Sequence, residues 1–320
     1  MLSNKNYLKI LFSIFTLIGI SVVSYSLDFS NKYPLPIIDH ISFDAKAKFI
    51  RDSVDTNEID TIIVGSSLAL NNVSGVVIEK NSKQCKHVLN ISVWSIDAPQ
   101  VEQILELVED FPKLKRIIYS GQFTSFNHAN RFKKFDTQFI KKYISNELNP
   151  VAYTTFVLNA CKDISFCKNR AIEWKKKHID NTKFAYLDFD HTGSAPLHIY
   201  GKDIIKARWT KIDGATQNPN ALKALQRITK KAQNKNINFY FVQQPYRQTQ
   251  IDKYPHIQKI MKSFPKDISK IMEQHGGKFF NAHDLLQLND DYFADRSHLN
   301  DKGSKVVSEQ IAKFIDKSEK

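Results

Sequence analysis

Hydrophobic positions follow three different regimes along the chain. From Leu8 to Leu27 the sequence is almost uninterruptedly apolar, about the length of a helix that crosses a bilayer. Lys5 and Lys9 precede this run and Asp28 follows it, which predicts a cytoplasmic N-terminus with the remaining chain beyond the membrane. A cleavable signal segment is the competing reading, because Ser24 and Ser26 form a small-x-small pattern. Both readings predict export, with segment 1–28 as anchor or signal. Residues 29–55 contain Pro34 and Pro36 and read as a juxtamembrane stalk with a short helix over Asp44 to Arg51.

From residue 56 the pattern changes to short β-branched and aromatic runs. Asp60 to Val64 ends at Gly65-Ser66-Ser67, and His87 to Ile91 is a second run. Lys115 to Tyr119 leads into Ser120-Gly121, Ile237 to Val242 is the fourth run, and Lys278 to Asn281 is a shorter fifth. Compact apolar runs of this kind predict buried parallel strands. Helical periodicity follows from about Pro99 to Glu109, and again where Val307, Ile311, Phe314 and Ile315 share one face. Strands alternating with helices predict an α/β domain over 56–320, an open parallel sheet covered by helices on both faces. Ligands bind such sheets at the carboxyl ends of the strands. The interval 126–220, rich in Lys, Phe, Tyr and Trp, exceeds what a strand–helix–strand crossover needs. It reads as a mostly helical insertion or lid.

Composition refines this picture. The chain has 320 residues, 42% of them hydrophobic, and a formal net charge of +13; the apolar fraction supports a substantial core and argues against disorder. The positive charge is scattered, with short knots at Lys175-Lys176-Lys177 and Lys230-Lys231 that read as solvated helix faces. No zinc-finger spacing or RNA-binding aromatic signature accompanies it, so nucleic acid is not the expected partner. Anionic lipid or acidic glycan fits the exported context better. Cys161 and Cys167 are six apart and would close a short-loop disulfide in an oxidising compartment. Cys85 reads as a small buried side chain, and no cysteine–histidine spacing points to a metal.

The candidate chemistry lies in Asp291-Tyr292-Phe293-Ala294-Asp295-Arg296-Ser297-His298-Leu299-Asn300. Asp295 can accept a hydrogen bond from His298, leaving the second ring nitrogen as a general base. Ser67, at a strand-to-helix turn, is the candidate nucleophile, since a serine hydroxyl attacks only when a neutral imidazole takes its proton. Helix capping by Ser67, or by Asp295 and His298, is the bland alternative. Arg247, after the fourth strand, is a candidate holder of an anionic substrate group, with a solvent-facing arginine as the alternative. His191 carries no functional expectation.

The order Gly65-Ser66-Ser67, a turn after the second strand, and Asp295-x-x-His298 near the end resembles the SGNH (GDSL-type) hydrolase superfamily over about 60–320. The resemblance implies a flavodoxin-like α/β sandwich, Ser67 as nucleophile, His298 as base and Asp295 as orienting carboxylate. It also implies an oxyanion hole from the Ser67 backbone and two middle blocks. Here the second block offers Ser95, or Ser92, in place of the family's glycine. The third offers Gln122 in place of its asparagine. The implied activity is that of a membrane-anchored serine esterase or O-acyltransferase working on cell-envelope polysaccharide or another ester, without cofactor or metal. Proteins of this type work beside membrane-bound O-acyltransferases. The atypical middle blocks leave open a non-catalytic envelope protein that binds glycan or such a partner.

Overall fold

A computed structural model describes residues 4–127, 135–161 and 163–320. Five strands form one sheet: β1 (Thr61–Gly65), β2 (Val88–Asn90), β3 (Arg116–Gly121), β4 (Asn238–Gln243) and β5 (Lys278–Asn281). All pairings are parallel and the order is β2-β1-β3-β4-β5. Each strand falls on one of the apolar runs. From β1 the chain crosses outward to β2, then returns past β1 to build β3, β4 and β5 on the other side. The order therefore reverses between β1 and β3, which opens a crevice at their carboxyl ends.

Alternation along the strands divides the core into two faces. Ile62, Val64, Ile117, Tyr119, Phe239 and Phe241 pack on one side against Val101, Leu225, Phe264 and their neighbours. These come from the helices Ala98–Val108, Pro219–Asn234 and Pro255–Gln274. Ile63, Ile118, Tyr240 and Val242 pack on the other against Ile78, Val307, Ile311 and Ile315, from the helices Gly75–Asn81 and Asp301–Ser318. Gly65 closes β1 where nothing larger fits. A Cβ there would lie 2.3 Å from the Ser120 carbonyl oxygen and 2.7 Å from the Ala69 Cβ.

Residues 29–55 are not a stalk. The helix Ile41–Ser53 buries Phe43, Ala47 and Ile50, spaced at helical intervals, in the core of the sheet face. Asp44 on the same helix has no exposed surface; it pairs with Arg170 and accepts the Ile37 and Ile38 N–H groups, each at 3.1 Å. The two prolines that suggested a spacer only turn the chain into this helix.

The interval expected as a helical insertion is helical in its first half alone. Helices Thr137–Ile144, Pro150–Ala160 and Ile164–Ile179 make up that half, and Cys161 and Cys167 are bonded across the turn between the last two. Residues 128–134 and Lys162 of this interval lie outside the described residues. Beyond residue 180 the chain becomes irregular, with single turns at Gly201–Asp203 and Lys206–Trp209. The stretch 192–197 is part of the body and not a lid. Thr192, Ser194, Ala195 and Leu197 are fully buried. The carbonyl of Thr192 accepts from Asn90, Ala195 donates to Leu70, and Leu197 accepts from Asp301. The stretch thus walls the β2 edge, and backbone hydrogen bonding replaces the apolar periodicity that would have signalled it.

The N-terminal helix Asn4–Lys32 is long and apolar enough to cross a membrane, a property that a signal sequence shares, and its apolar window is almost wholly exposed. Its last turns join the body, where Phe29 packs with Leu35, Val157 and Cys167. Cys85 is a free, buried thiol whose pKa burial pushes up.

Candidate active site

The rim of the crevice between β1 and β3 gathers side chains from both ends of the sequence. β1 ends at Gly65, and Ser66 caps the helix Ser67–Asn72, its hydroxyl 3.4 Å from the Leu68 N–H. Ser67 in the first turn is therefore not the cap, and its hydroxyl is spent elsewhere. His298 Nε2 lies 2.9 Å from Ser67 Oγ, and His298 Nδ1 lies 2.9 Å from Asp295 Oδ2. With Asp295 ionised, the Nδ1–H donates to the carboxylate and Nε2 is left to accept the serine proton. The last helix is capped by Asn300, which accepts from Gly303 at 3.1 Å. Asp295 and His298 are thus also free of capping duty.

The loop 294–299 is held rigidly. Asp295 Oδ1 accepts the Ser297 and His298 N–H groups at 2.8 and 2.7 Å, and Ala294 donates to the His298 carbonyl at 2.8 Å. Burial pushes the Asp295 pKa up, but the charge and hydrogen bonds of His298 and these N–H groups outweigh it and hold the pKa at about 2. Asn72, fully buried at the end of the helix that Ser67 begins, donates to the Ser297 carbonyl at 3.0 Å and accepts from the Leu299 N–H at 2.8 Å. It fixes the backbone on both sides of His298 to the element that carries Ser67. Phe184, from the irregular half of the insertion, meets the imidazole edge-on with centroids 5.6 Å apart.

The cleft above these groups has a volume of about 280 Å³. Its opposite wall is Ser95, Ile96 and Asp97 after β2, and Thr124 and Ser125 after β3. Ser95 adopts a left-handed φ of +53°, a conformation that glycine takes without cost. Ser92 does not reach the cleft; it is buried, with its N–H bound to Asn90 Oδ1 at 3.0 Å.

Two expected residues lie outside the cleft. Gln122 is buried, and its amide nitrogen donates to the carbonyls of Gln244, at 3.3 Å, and Pro245. The pairing of Gly121 with Gln243 brings those carbonyls beside it, so the amide serves the β3–β4 junction instead of the cleft. Arg247 is neither solvent-facing nor open to substrate. Its guanidinium is stacked 3.5 Å from the centroid of the Trp209 ring, donates to the Trp209 carbonyl at 2.9 Å, and forks onto Asp290 at 3.0 and 2.7 Å.

Arg296 is the arginine that lines the cleft. It forks onto Asp213 of the insertion, with Nη2 to Oδ1 at 2.7 Å, and Tyr246 donates its hydroxyl to the same carboxylate at 2.9 Å. Neither Arg296 nor Asn72 stood out in the sequence. An arginine between two candidate catalytic residues, and an asparagine five residues after the candidate nucleophile, were the available signals. His191 lies at the surface, 2.8 Å from Glu79. Among the described residues no cluster of three or more His, Cys, Asp or Glu is arranged to hold a metal ion. No protein-family model and no curated protein matches the chain.

Proposed function

We propose that the chain is an SGNH-type serine enzyme, an acyl-esterase or O-acyltransferase acting on acylated cell-envelope polysaccharide or another ester. The observation that carries this reading is the unbroken series Ser67 Oγ–His298 Nε2 and His298 Nδ1–Asp295 Oδ2, both at 2.9 Å, at the crevice of the sheet. The serine hydroxyl would attack the ester carbonyl as its proton passes to Nε2, and Asp295 stabilises the imidazolium that forms. Candidate oxyanion donors are the backbone N–H groups of Ser67, at a helix start, and of Ser95. Collapse of the tetrahedral intermediate expels the alcohol, protonated by His298, and leaves an acyl-serine. Water or a sugar hydroxyl, deprotonated by the same imidazole, then takes the acyl group.

The N-terminal helix would anchor the protein in the cytoplasmic membrane, with the α/β domain periplasmic or extracellular. The Cys161–Cys167 disulfide fits an oxidising compartment, and a membrane-bound O-acyltransferase fits as acyl donor. The test is a fluorophosphonate probe on the full chain in detergent. Wild type is expected to label, and Ser67→Ala is expected not to.

A second reading, a binding protein that retains the fold, draws support from the withdrawn amide of Gln122. It predicts a folded wild type that the probe does not label and that retains a glycan ligand.

A further inference from the structure

We infer that the disulfide-closed tip of the hairpin formed by helices Pro150–Ala160 and Ile164–Ile179 is immersed in the lipid interface beside the N-terminal helix. The inference rests on the anchor reading above and adds a second, monotopic contact to it. Ser21, Val22 and Tyr25 of the N-terminal helix share the walls of one cavity of about 320 Å³ with Leu158, Ile164 and Cys167 of the hairpin. The apolar run of the anchor continues past this level to Leu27. From Ser21 to Leu27 is about 9 Å of helix rise. A bilayer that covers the whole run therefore also covers whatever stands beside Ser21 and Tyr25. Lipid is the occupant that fits this cavity, because its walls are largely apolar and continuous with the exposed face of the spanning helix.

The hairpin's surface agrees with that height. Ile164 is 69% exposed and Phe166 38% exposed at its tip, and neither has a partner in the sheet cores. Farther along the second helix, Lys175 lies over the Tyr33 ring at 5.5 Å, just past the end of the apolar run. Ile164 to Lys175 and Val22 to Tyr33 are equal separations, each about 16 Å at helical rise. The second helix thus climbs out of the membrane alongside the anchor. Tyr33 and the exposed Lys175 and Lys176 stand at the height where tyrosine and basic side chains meet headgroups. Asp163 limits the depth. Its carboxylate caps the second helix by accepting from the Phe166 N–H at 3.1 Å, an arrangement suited to the headgroup region and costly in hydrocarbon.

The experiment places the full chain in phosphatidylethanolamine–phosphatidylglycerol vesicles containing doxyl lipids labelled near the headgroup. Fluorescence of Ile164→Trp and of Ile179→Trp is measured against wild type, whose own tryptophans supply the background. Both sites are exposed, so neither substitution disturbs packing, and Ile179 is at the far end of the same helix. The signal added by Ile164→Trp is expected to be quenched about twofold or more, as for an indole in the outer 5–10 Å of a leaflet. The signal added by Ile179→Trp is expected to be unchanged. Flotation of the vesicles is followed in parallel. A chain that floats while Ile164→Trp stays unquenched, or is quenched no more than Ile179→Trp, overturns the immersion of the hairpin and leaves the anchor standing. A chain that does not float overturns both.

Discussion

The two walls of the cleft are built differently. On the His298 side the chemistry is set by side chains, with Asp295 orienting the imidazole, Asn72 pinning the backbone around it and Phe184 packed against it. The facing wall is also braced by side chains, Gln100 accepting from the Asp97 N–H at 3.0 Å and Ser125 from the Gln122 N–H at 3.4 Å, but what it offers as a candidate donor is the backbone of a left-handed Ser95. Chemistry carried by side chains demands particular residue types and leaves a trace in the sequence. Chemistry carried by N–H groups demands only a conformation, which several residue types can adopt.

The comparison can be broken most severely at its centre. Ser67→Ala or His298→Ala is expected to lower kcat/KM on a p-nitrophenyl ester by about 10⁴-fold or more, with the thermal midpoint nearly unchanged. Next comes the positioning contact. Asn72→Ala leaves a buried N–H and a buried carbonyl without their side-chain partner, which is expected to cost about 1–3 kcal/mol. It should also lower kcat by about 10²-fold through misplacement of His298. Denaturant melts and the separate response of kcat and KM check this, since a merely structural defect would spare the kcat of the folded fraction.

Third, pH probes the same wall. The Asp295 pKa is depressed to about 2 in the folded protein, against about 3.9 in an unfolded chain. Its contribution is therefore fully present above the unfolded value and is lost as pH falls towards 2. Asp295→Asn should accordingly be less stable than wild type at neutral pH, and denaturant midpoints should converge as the pH approaches 2.

The smallest expected effects on catalysis sharpen the contrast from outside. Gln122→Ala is expected to change kcat by less than about threefold, whereas losing a true oxyanion donor costs about 10²–10³-fold. Arg247→Met should likewise leave KM for anionic and neutral esters unchanged, while loss of its fork onto Asp290 lowers the denaturation midpoint. A large kcat loss in Gln122→Ala would place that amide back in the cleft.

Much of the architecture was legible in the pattern of apolar positions. β1 to β5 fall on the runs that begin at Asp60, His87, Lys115, Ile237 and Lys278, because strands buried on both faces need continuous apolar sequence. The helix of spanning length was equally plain, since an apolar run of about 20 residues is by itself the signal. Ser67, Asp295 and His298 could be nominated from residue type and placement at strand ends, and they lie within hydrogen-bond reach of one another. The second half of the insertion was misread because Thr192, Ser194 and Ala195 are buried through backbone hydrogen bonds. In segment 29–55 the short helix over Asp44 to Arg51 is legible and forms within Ile41–Ser53, but its burial is not, because the prolines overshadow Phe43, Ala47 and Ile50.

The sequence by itself determined the strands, the membrane-length helix and which residue types were available for nucleophilic chemistry, because hydrophobic burial and imidazole basicity belong to local residues. Only the tertiary structure decided which of two nearby arginines faces the cleft, and which amide is turned away from it. Arg247 and Gln122 each lie where the packing of neighbouring strands and loops brings Asp290, Trp209 and the carbonyls of Gln244 and Pro245 within reach. A donor in a folded chain goes to the acceptors that folding brings to it, and those partners lie far away in sequence.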